Sequence, residues 1–173
     1  VYICKSLGLN QAADYWEQVV IMNNHQRNRF AHQIVKSLHG TVAAKKIGFL
    51  GWAFKKDTND TRESAAIYIA DILIEERAYV QVFDPKVTLL QIRSDLNGLN
   101  TRSETENDKF LVNHSDPYET LNGTHAIAVI TEWDEFKSYD WPKIYERMQK
   151  PAFVFDGRNI LDIKKLTAIG FSL

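Results

Sequence analysis

The sequence predicts an α/β fold in which a doubly wound parallel sheet is preceded by one long helix. Three observations lead to this prediction. Apolar residues recur at spacings of three and four over residues 10–39, which is typical of a helix. After Gly40, five short apolar runs alternate with helical segments. These runs show no alternation of polar and apolar residues, which is typical of parallel strands buried on both faces. Right-handed β-α-β crossovers between such strands give a doubly wound sheet.

The first element is a long helix over residues 10–39, with Asn10 as its expected N-cap and Gly40 as its expected stop. A helix of roughly 30 residues is about 45 Å long, which exceeds what a small domain needs to cover its core. We therefore expect residues 1–39 to form a connecting or dimerisation region and residues 40–173 to form the sheet domain. Because the chain begins without a methionine and in a helical pattern, we also expect it to be a fragment.

The remaining elements follow from the alternation of apolar runs with amphipathic segments. The candidate strands are Lys46–Leu50, Val80–Phe83, Phe110–Val112, Ala126–Ile130 and Ala152–Phe155. The candidate helices are Ser64–Arg77 with Ser64 as N-cap, Thr88–Leu96, Pro117–Leu121, Trp141–Met148 and Leu161–Ala168. The polar stretch 97–109 is expected to be a mobile surface loop.

Composition excludes several functional classes. A chain of 173 residues, 45% of them hydrophobic, can build its own core. Its net charge of −1 gives no general attraction to nucleic acid or to an anionic membrane. No apolar run reaches the roughly 18 residues of a membrane span. The single cysteine, Cys4, permits no internal disulfide, so a reducing, cytoplasmic compartment is expected. The histidines have no cysteine or carboxylate partner at ligand spacing, so no metal site is predicted.

The carboxyl edge of the sheet is the expected binding site, because ligands of open α/β sheets bind outside the carboxyl ends of the strands. The first crossover, Gly48–Ser64, combines glycines, an aromatic residue, lysines and an arginine ahead of a helix, as phosphate sites do. It lacks the G-x-G-x-x-G spacing of a dinucleotide site, which argues against NAD binding by this sheet alone. Lys55 and Lys56 either neutralise phosphate or form a solvated basic turn.

Three further charged residues lie near strand ends or a helix start, and each has two interpretations. Arg62 opposes the dipole of the helix that follows, so it either binds an anion or pairs with one of the nearby acids Asp57, Asp60 and Glu63. Asp84 either holds a ribose diol or forms an Asp-Pro turn. Arg158 follows Gly157 and either projects into the crevice, where it suits bidentate contact with oxygens, or lies on the surface.

Several motifs spread over the chain resemble one enzyme family. The motifs are YWEQVVIMNNHQRNRFA from Tyr15, AFKKDTNDTRES from Ala53, FDPKV from Phe83, DPYE from Asp116, TEWDEF from Thr131 and KPAFVFDGRNILD from Lys150. Together they resemble the nucleotide-sugar 6-dehydrogenase family, and most closely its UDP-glucose 6-dehydrogenase branch in animals. Several motifs in one order are far more specific than any one of them.

The resemblance implies a fold and an activity. In that family an N-terminal Rossmann domain binds NAD, and a long helix joins it to a Rossmann-like domain that helps to bind the UDP-sugar. The enzyme oxidises the C6 alcohol of the sugar to a carboxylate in two NAD-linked steps, through an intermediate on a catalytic cysteine. Matched residue by residue, Phe54, Lys55 and Arg158 would contact UDP-glucose, and Arg62 would reach towards NAD.

The catalytic residues of the family are absent from this sequence. Its nucleophilic cysteine lies in a Gly-Gly-x-Cys context that the chain does not contain, and Cys4 does not match it. We therefore expect no turnover by the chain alone, and we expect the NAD-binding domain and further copies in a homo-oligomer as its partners. Two alternatives stay open. One is a related dehydrogenase for another nucleotide sugar, such as GDP-mannose or a UDP-N-acetyl sugar, and the other is a non-catalytic nucleotide-binding or assembly module.

Overall fold

A computed structural model describes the whole chain, residues 1–173. Its helices are α1 (Tyr2–Ser6), α2 (Asn10–Ser37), α3 (Ala65–Glu75), α4 (Leu89–Asn97), α5 (Glu104–Phe110), α6 (Pro117–Thr120), α7 (Trp141–Arg147) and α8 (Ile163–Ile169). Its strands are β1 (Lys46–Leu50), β2 (Tyr79–Phe83), β3 (Leu111–Asn113), β4 (Ala126–Val129) and β5 (Phe153–Asp156). A 3-10 helix covers Asp134–Ser138.

The five strands form one parallel sheet in the order β3-β2-β1-β4-β5. From β1 the chain moves outward through β2 to β3, and it then returns to the other side of β1 to add β4 and β5. The order of the strands thus reverses between β1 and β4, where a doubly wound sheet opens its binding crevice. β4 is buried along its whole length and β1 exposes only Lys46, as expected for strands covered on both faces. The predicted doubly wound parallel sheet is confirmed.

Helix α2 joins the core only at its C-terminal end. Ala31, Ile34 and Leu38 are buried, and α2 packs there against α3. Further towards the N-terminus, Trp16 and Val20 are each about half exposed, although the same periodicity continues through them. The apolar stripe of the long helix therefore has two parts, one that is buried in the sheet domain and one that is exposed.

Both expected ends of the long helix need correction. Asn10 is the first residue of the helix, and the N-cap is Leu9, whose side chain makes no capping bond. The helix ends at Ser37, because His39 takes a left-handed conformation with φ of 66° and the amide of Gly40 donates to the carbonyl of Val35 at 3.0 Å. This 6→1 bond is that of a Schellman motif, which places His39 at C′ and Gly40 one position later.

The polar stretch 97–109 was expected to be a loop, and this expectation is wrong for its second half. Helix α5 begins there, with the hydroxyl of Ser103 accepting from the amide of Glu106 at 3.3 Å. Asn107 is buried in it and donates to Asn97 at 2.7 Å. The other predicted strands and helices are found within about two residues of their expected bounds, and the Ser64 side chain caps α3 as predicted. No helix is both long enough and apolar enough to cross a membrane.

Candidate functional site

The turns that follow β1 and β4 lie in close contact at the carboxyl edge of the sheet. Gly51 follows β1 with φ of +96°, and a Cβ placed on it would lie 2.4 Å from Cβ of Thr131. Only glycine fits this close approach. The Thr131 hydroxyl donates to the carbonyl of Ala53 at 2.7 Å, which fixes the start of the first crossover against the end of β4.

Asp84 organises the middle of the same edge. Its Oδ2 accepts from the amides of Trp52 and Ala53 at 2.7 and 3.0 Å and from the Trp133 indole at 3.2 Å. Its Oδ1 accepts from the amides of Lys86 and Val87 at 2.8 and 3.0 Å. The acid that ends β2 therefore forms the predicted turn, and it also binds the amide groups that follow β1. In a dinucleotide fold those amides face the pyrophosphate.

Phe54 and Arg158 come together across this crevice. Gly157 makes the turn after β5, where a Cβ would lie 3.0 Å from the carbonyl of Val129 and 3.2 Å from the ring of Phe30. The Arg158 side chain then turns back over the sheet edge. Its Nε donates to the carbonyl of Ile130, and its Nη2 donates to the carbonyl of Phe54 at 3.4 Å. The Phe54 ring is half exposed beside it.

The two other residues singled out from the sequence lie on the exposed side of the crossover. Lys55 is exposed and its side chain makes no hydrogen bond within the chain. Arg62 is 88% exposed and pairs with Asp60, through Nε at 2.9 Å and Nη2 at 2.7 Å. The hydrogen bonds from Arg62 lower the pKa of Asp60 to about 2. Of the four residues, Phe54 and Arg158 line the cleft described next, and Lys55 and Arg62 do not.

A cleft of about 670 Å³ extends from Arg158 along helix α2. Its walls are the carboxyl ends of β4 and β5, the first crossover, residues of α3 and α8, and the polar face of α2, including Arg27 and Arg29. Sequence reasoning did not predict that α2 would form a wall of the site, because apolar periodicity shows which face of a helix is buried and not what the polar face meets. No three histidine, cysteine or carboxylate side chains converge in the way that a metal site needs.

Arg27 clamps α2 to the first crossover. Its Nη2 donates to the carbonyl of Glu63 at 2.8 Å, and its guanidinium carbon lies 4.1 Å from the centre of the Tyr68 ring. The Tyr68 hydroxyl donates to the Glu63 carboxylate at 3.0 Å. Partial burial raises the pKa of Tyr68, and this hydrogen bond raises it further. The clamp fixes the crossover relative to the helix, although the two segments are far apart in the sequence.

Asp134 joins the crossover to the 3-10 helix and gives a prediction about pH. It lies 2.5 Å from Nζ of Lys56 and of Lys137, and hydrogen bonds from Lys137 and Lys56 lower its pKa to about 2. An unfolded aspartate has a pKa of about 3.9, so the ionised carboxylate stabilises the fold above that pH. This contribution is lost as the pH falls through about 2.

We expect the difference in stability between the wild type and Asp134→Asn to shrink as the pH falls from about 4 to about 2. The difference is small at every pH because the site is solvated and salt screens the pairs. Urea unfolding of both proteins at several pH values and low salt measures it. A difference that stays constant over this range would contradict the prediction.

Comparison with known proteins identifies the family. The model of the UDP-glucose/GDP-mannose dehydrogenase family, UDP-binding domain, matches residues 48–163. A UDP-glucose 6-dehydrogenase of Rattus norvegicus is 47% identical over 175 residues, which cover 100% of this chain and 36% of that protein. A UDP-glucose 6-dehydrogenase of Drosophila melanogaster is 48% identical over 172 residues, covering 99% of this chain and 36% of that protein.

A solved structure agrees with the fold described above. The structure of a UDP-glucose dehydrogenase from the hyperthermophilic archaeon Pyrobaculum islandicum has a TM-score of 0.67 at 25% identity, covering 99% of this chain and 35% of that one. The chain thus spans a little over a third of the length of the curated relatives it matches. On the family model and on identities near one half along its whole length, the chain belongs to the UDP-glucose/GDP-mannose dehydrogenase family.

Proposed function

We propose that this chain forms the UDP-sugar-binding part of an NAD-dependent UDP-glucose 6-dehydrogenase, which oxidises UDP-glucose to UDP-glucuronate in two NAD-linked steps. The observation that carries the proposal is the meeting of Phe54 and Arg158 at the point where the strand order reverses. Relatives that bear this enzyme's name and are 47–48% identical over nearly the whole chain support UDP-glucose over other nucleotide sugars.

The side chains at the crevice suit a nucleotide sugar. Of the five N–H groups of a guanidinium, Arg158 donates two to backbone carbonyls, which leaves three for a ligand. These groups suit the oxygens of a diphosphate or of sugar hydroxyls. Lys55 adds a positive charge on the exposed side of the crossover, and the half-exposed ring of Phe54 offers an apolar surface. Phe54, Lys55 and Arg158 are therefore the proposed substrate-binding residues.

NAD is proposed to be held mainly by a domain outside this chain, where it accepts hydride in both oxidation steps. The amides of Trp52 and Ala53 donate to Asp84, so this sheet does not offer them to a pyrophosphate. Arg62 remains as the one proposed NAD contact. It is exposed, and although Asp60 occupies two of its N–H groups, three more remain.

We also propose a division of the chain and a role in assembly. Residues 1–39 form the connecting and dimerisation region, and residues 40–173 form the UDP-sugar-binding domain. Exposed apolar side chains on α1 and on the first half of α2, such as Ile3 and Trp16, suit burial against the NAD-binding domain or a second copy in a cytoplasmic homo-oligomer.

Calorimetry with UDP, UDP-glucose and NAD tests the binding role. We expect UDP and UDP-glucose to bind, and Arg158→Ala to weaken both about tenfold or more, because hydrogen bonds from a charged group contribute roughly 1.5–3 kcal/mol. Arg147→Ala is the matched control, since Arg147 is an exposed arginine whose side chain has no partner. Displacement of bound UDP-glucose by GDP-mannose or a UDP-N-acetyl sugar compares the affinities for the alternative nucleotide sugars. Equal affinity of the Arg158→Ala variant, or NAD binding alone, would contradict the proposal.

A further inference from the structure

Glu132 places a carboxylate oxygen against Arg158 without a hydrogen bond. The residue follows β4, and its side chain is 31% exposed. Its Oε2, however, is buried and has no hydrogen-bond partner, although it lies 3.3 Å from Nε of Arg158. A buried carboxylate oxygen is costly unless a charge compensates for the water it has lost. The nearest compensating charge is the Arg158 guanidinium.

The other contacts of Arg158 explain this geometry. Its Nε–H already donates to the carbonyl of Ile130, so Glu132 attracts the guanidinium by charge from one side. Arg158 lines the cleft and Glu132 does not. Glu132 therefore contacts the Nε end of Arg158 without lining the cleft. With Nε fixed on that side, the three unpartnered N–H groups remain at the other end of the guanidinium.

We propose that Glu132 is a positioning residue that holds the Arg158 guanidinium ready for a ligand oxygen anion, the diphosphate of a nucleotide sugar. This inference rests on the proposed function, because it assumes that Arg158 binds the substrate. A free arginine side chain loses considerable rotational freedom when it binds, and a side chain that is already fixed loses less. Glu132 thus acts through Arg158 and touches no substrate itself.

The first experiment measures how firmly the Arg158 side chain is held in the absence of any ligand. The signal of its side-chain Nε–H in a nitrogen-15 NMR spectrum shows slow exchange with water when the group is fixed. We expect Glu132→Gln, which keeps the shape and removes the charge, to speed this exchange several-fold. Glu146→Gln is the control, because Glu146 is exposed on α7 and makes no hydrogen bond. Unchanged exchange in Glu132→Gln would overturn the inference.

The second experiment measures UDP affinity in a double-mutant cycle of the full chain. We expect Glu132→Gln to weaken UDP binding roughly three- to fivefold, the size expected of an ion pair that is about one-third exposed. We expect it to have no effect in an Arg158→Ala background. If the fold-changes of the two single variants multiply in the double variant, Glu132 acts independently of Arg158. That result overturns the inference but leaves the proposed function intact. A wild-type chain that binds no UDP would overturn both.

Discussion

Replacing Asp84 with alanine is expected to lower the free energy of unfolding by about 4 kcal/mol. The carboxylate accepts five hydrogen bonds, and the substitution leaves the amides of Trp52 and Ala53 buried without an acceptor. Each unsatisfied buried donor costs about 1–3 kcal/mol. Urea unfolding followed by circular dichroism measures the loss.

Asp84→Asn serves as the comparison, because it keeps one side-chain oxygen acceptor while removing the charge. We expect an intermediate loss of stability, since one oxygen can serve the amides after β1 or the turn after β2, but not both. A loss below about 1 kcal/mol for Asp84→Ala would show that water or a local shift satisfies the freed donors. Asp84 would then contribute much less to the free energy of unfolding than its five hydrogen bonds indicate.

Replacing Gly51 with alanine is expected to cost about 3 kcal/mol or more and to weaken UDP binding as well. The new Cβ would lie 2.4 Å from Cβ of Thr131 and 2.8 Å from its backbone nitrogen. Because the backbone atoms of Thr131 belong to the turn after β4, no side-chain rotation relieves the overlap. The two turns must separate, which changes the crevice that Phe54 and Arg158 share.

Gly8→Ala is the matched control for this substitution. Gly8 also has a positive φ, +73°, but a Cβ there meets nothing within 4 Å. It therefore reports the conformational cost alone, about 1 kcal/mol. Thermal unfolding of both variants separates strain from overlap. Equal losses in the two variants would mean that the contact between Gly51 and Thr131 relaxes at little cost.

The sheet was predictable because its strands are short apolar runs, and the central strands β1 and β4 are buried on both faces as such runs indicate. Helix α5 was missed because its pattern is polar and its one fully buried side chain is Asn107. A local signal was nevertheless present: Ser103 and Glu106 have the spacing of a capping box. The Ser103 hydroxyl does accept from the Glu106 amide. Capping chemistry, rather than hydrophobic periodicity, was the informative pattern there.

The site was partly predictable for a topological reason. The carboxyl ends of parallel strands meet at one edge, so Phe54 and Arg158 were expected near each other although 104 positions separate them. The clamp of Arg27 on Glu63 and the ion pair of Glu132 with Arg158 were not predicted. Each depends on side-chain directions that only the packed structure determines, and each of these residues has many possible partners of opposite charge in the sequence.

The carboxylate of Asp84 gives the domain an internal substitute for a bound anion. The amides of Trp52 and Ala53 occupy the place of the amides that face a pyrophosphate in a dinucleotide site, and here a side chain of the same chain satisfies them as soon as the polypeptide folds. The framework can therefore mature during synthesis with no nucleotide present. The hydrogen bonds at this edge of the sheet are complete without a bound phosphate.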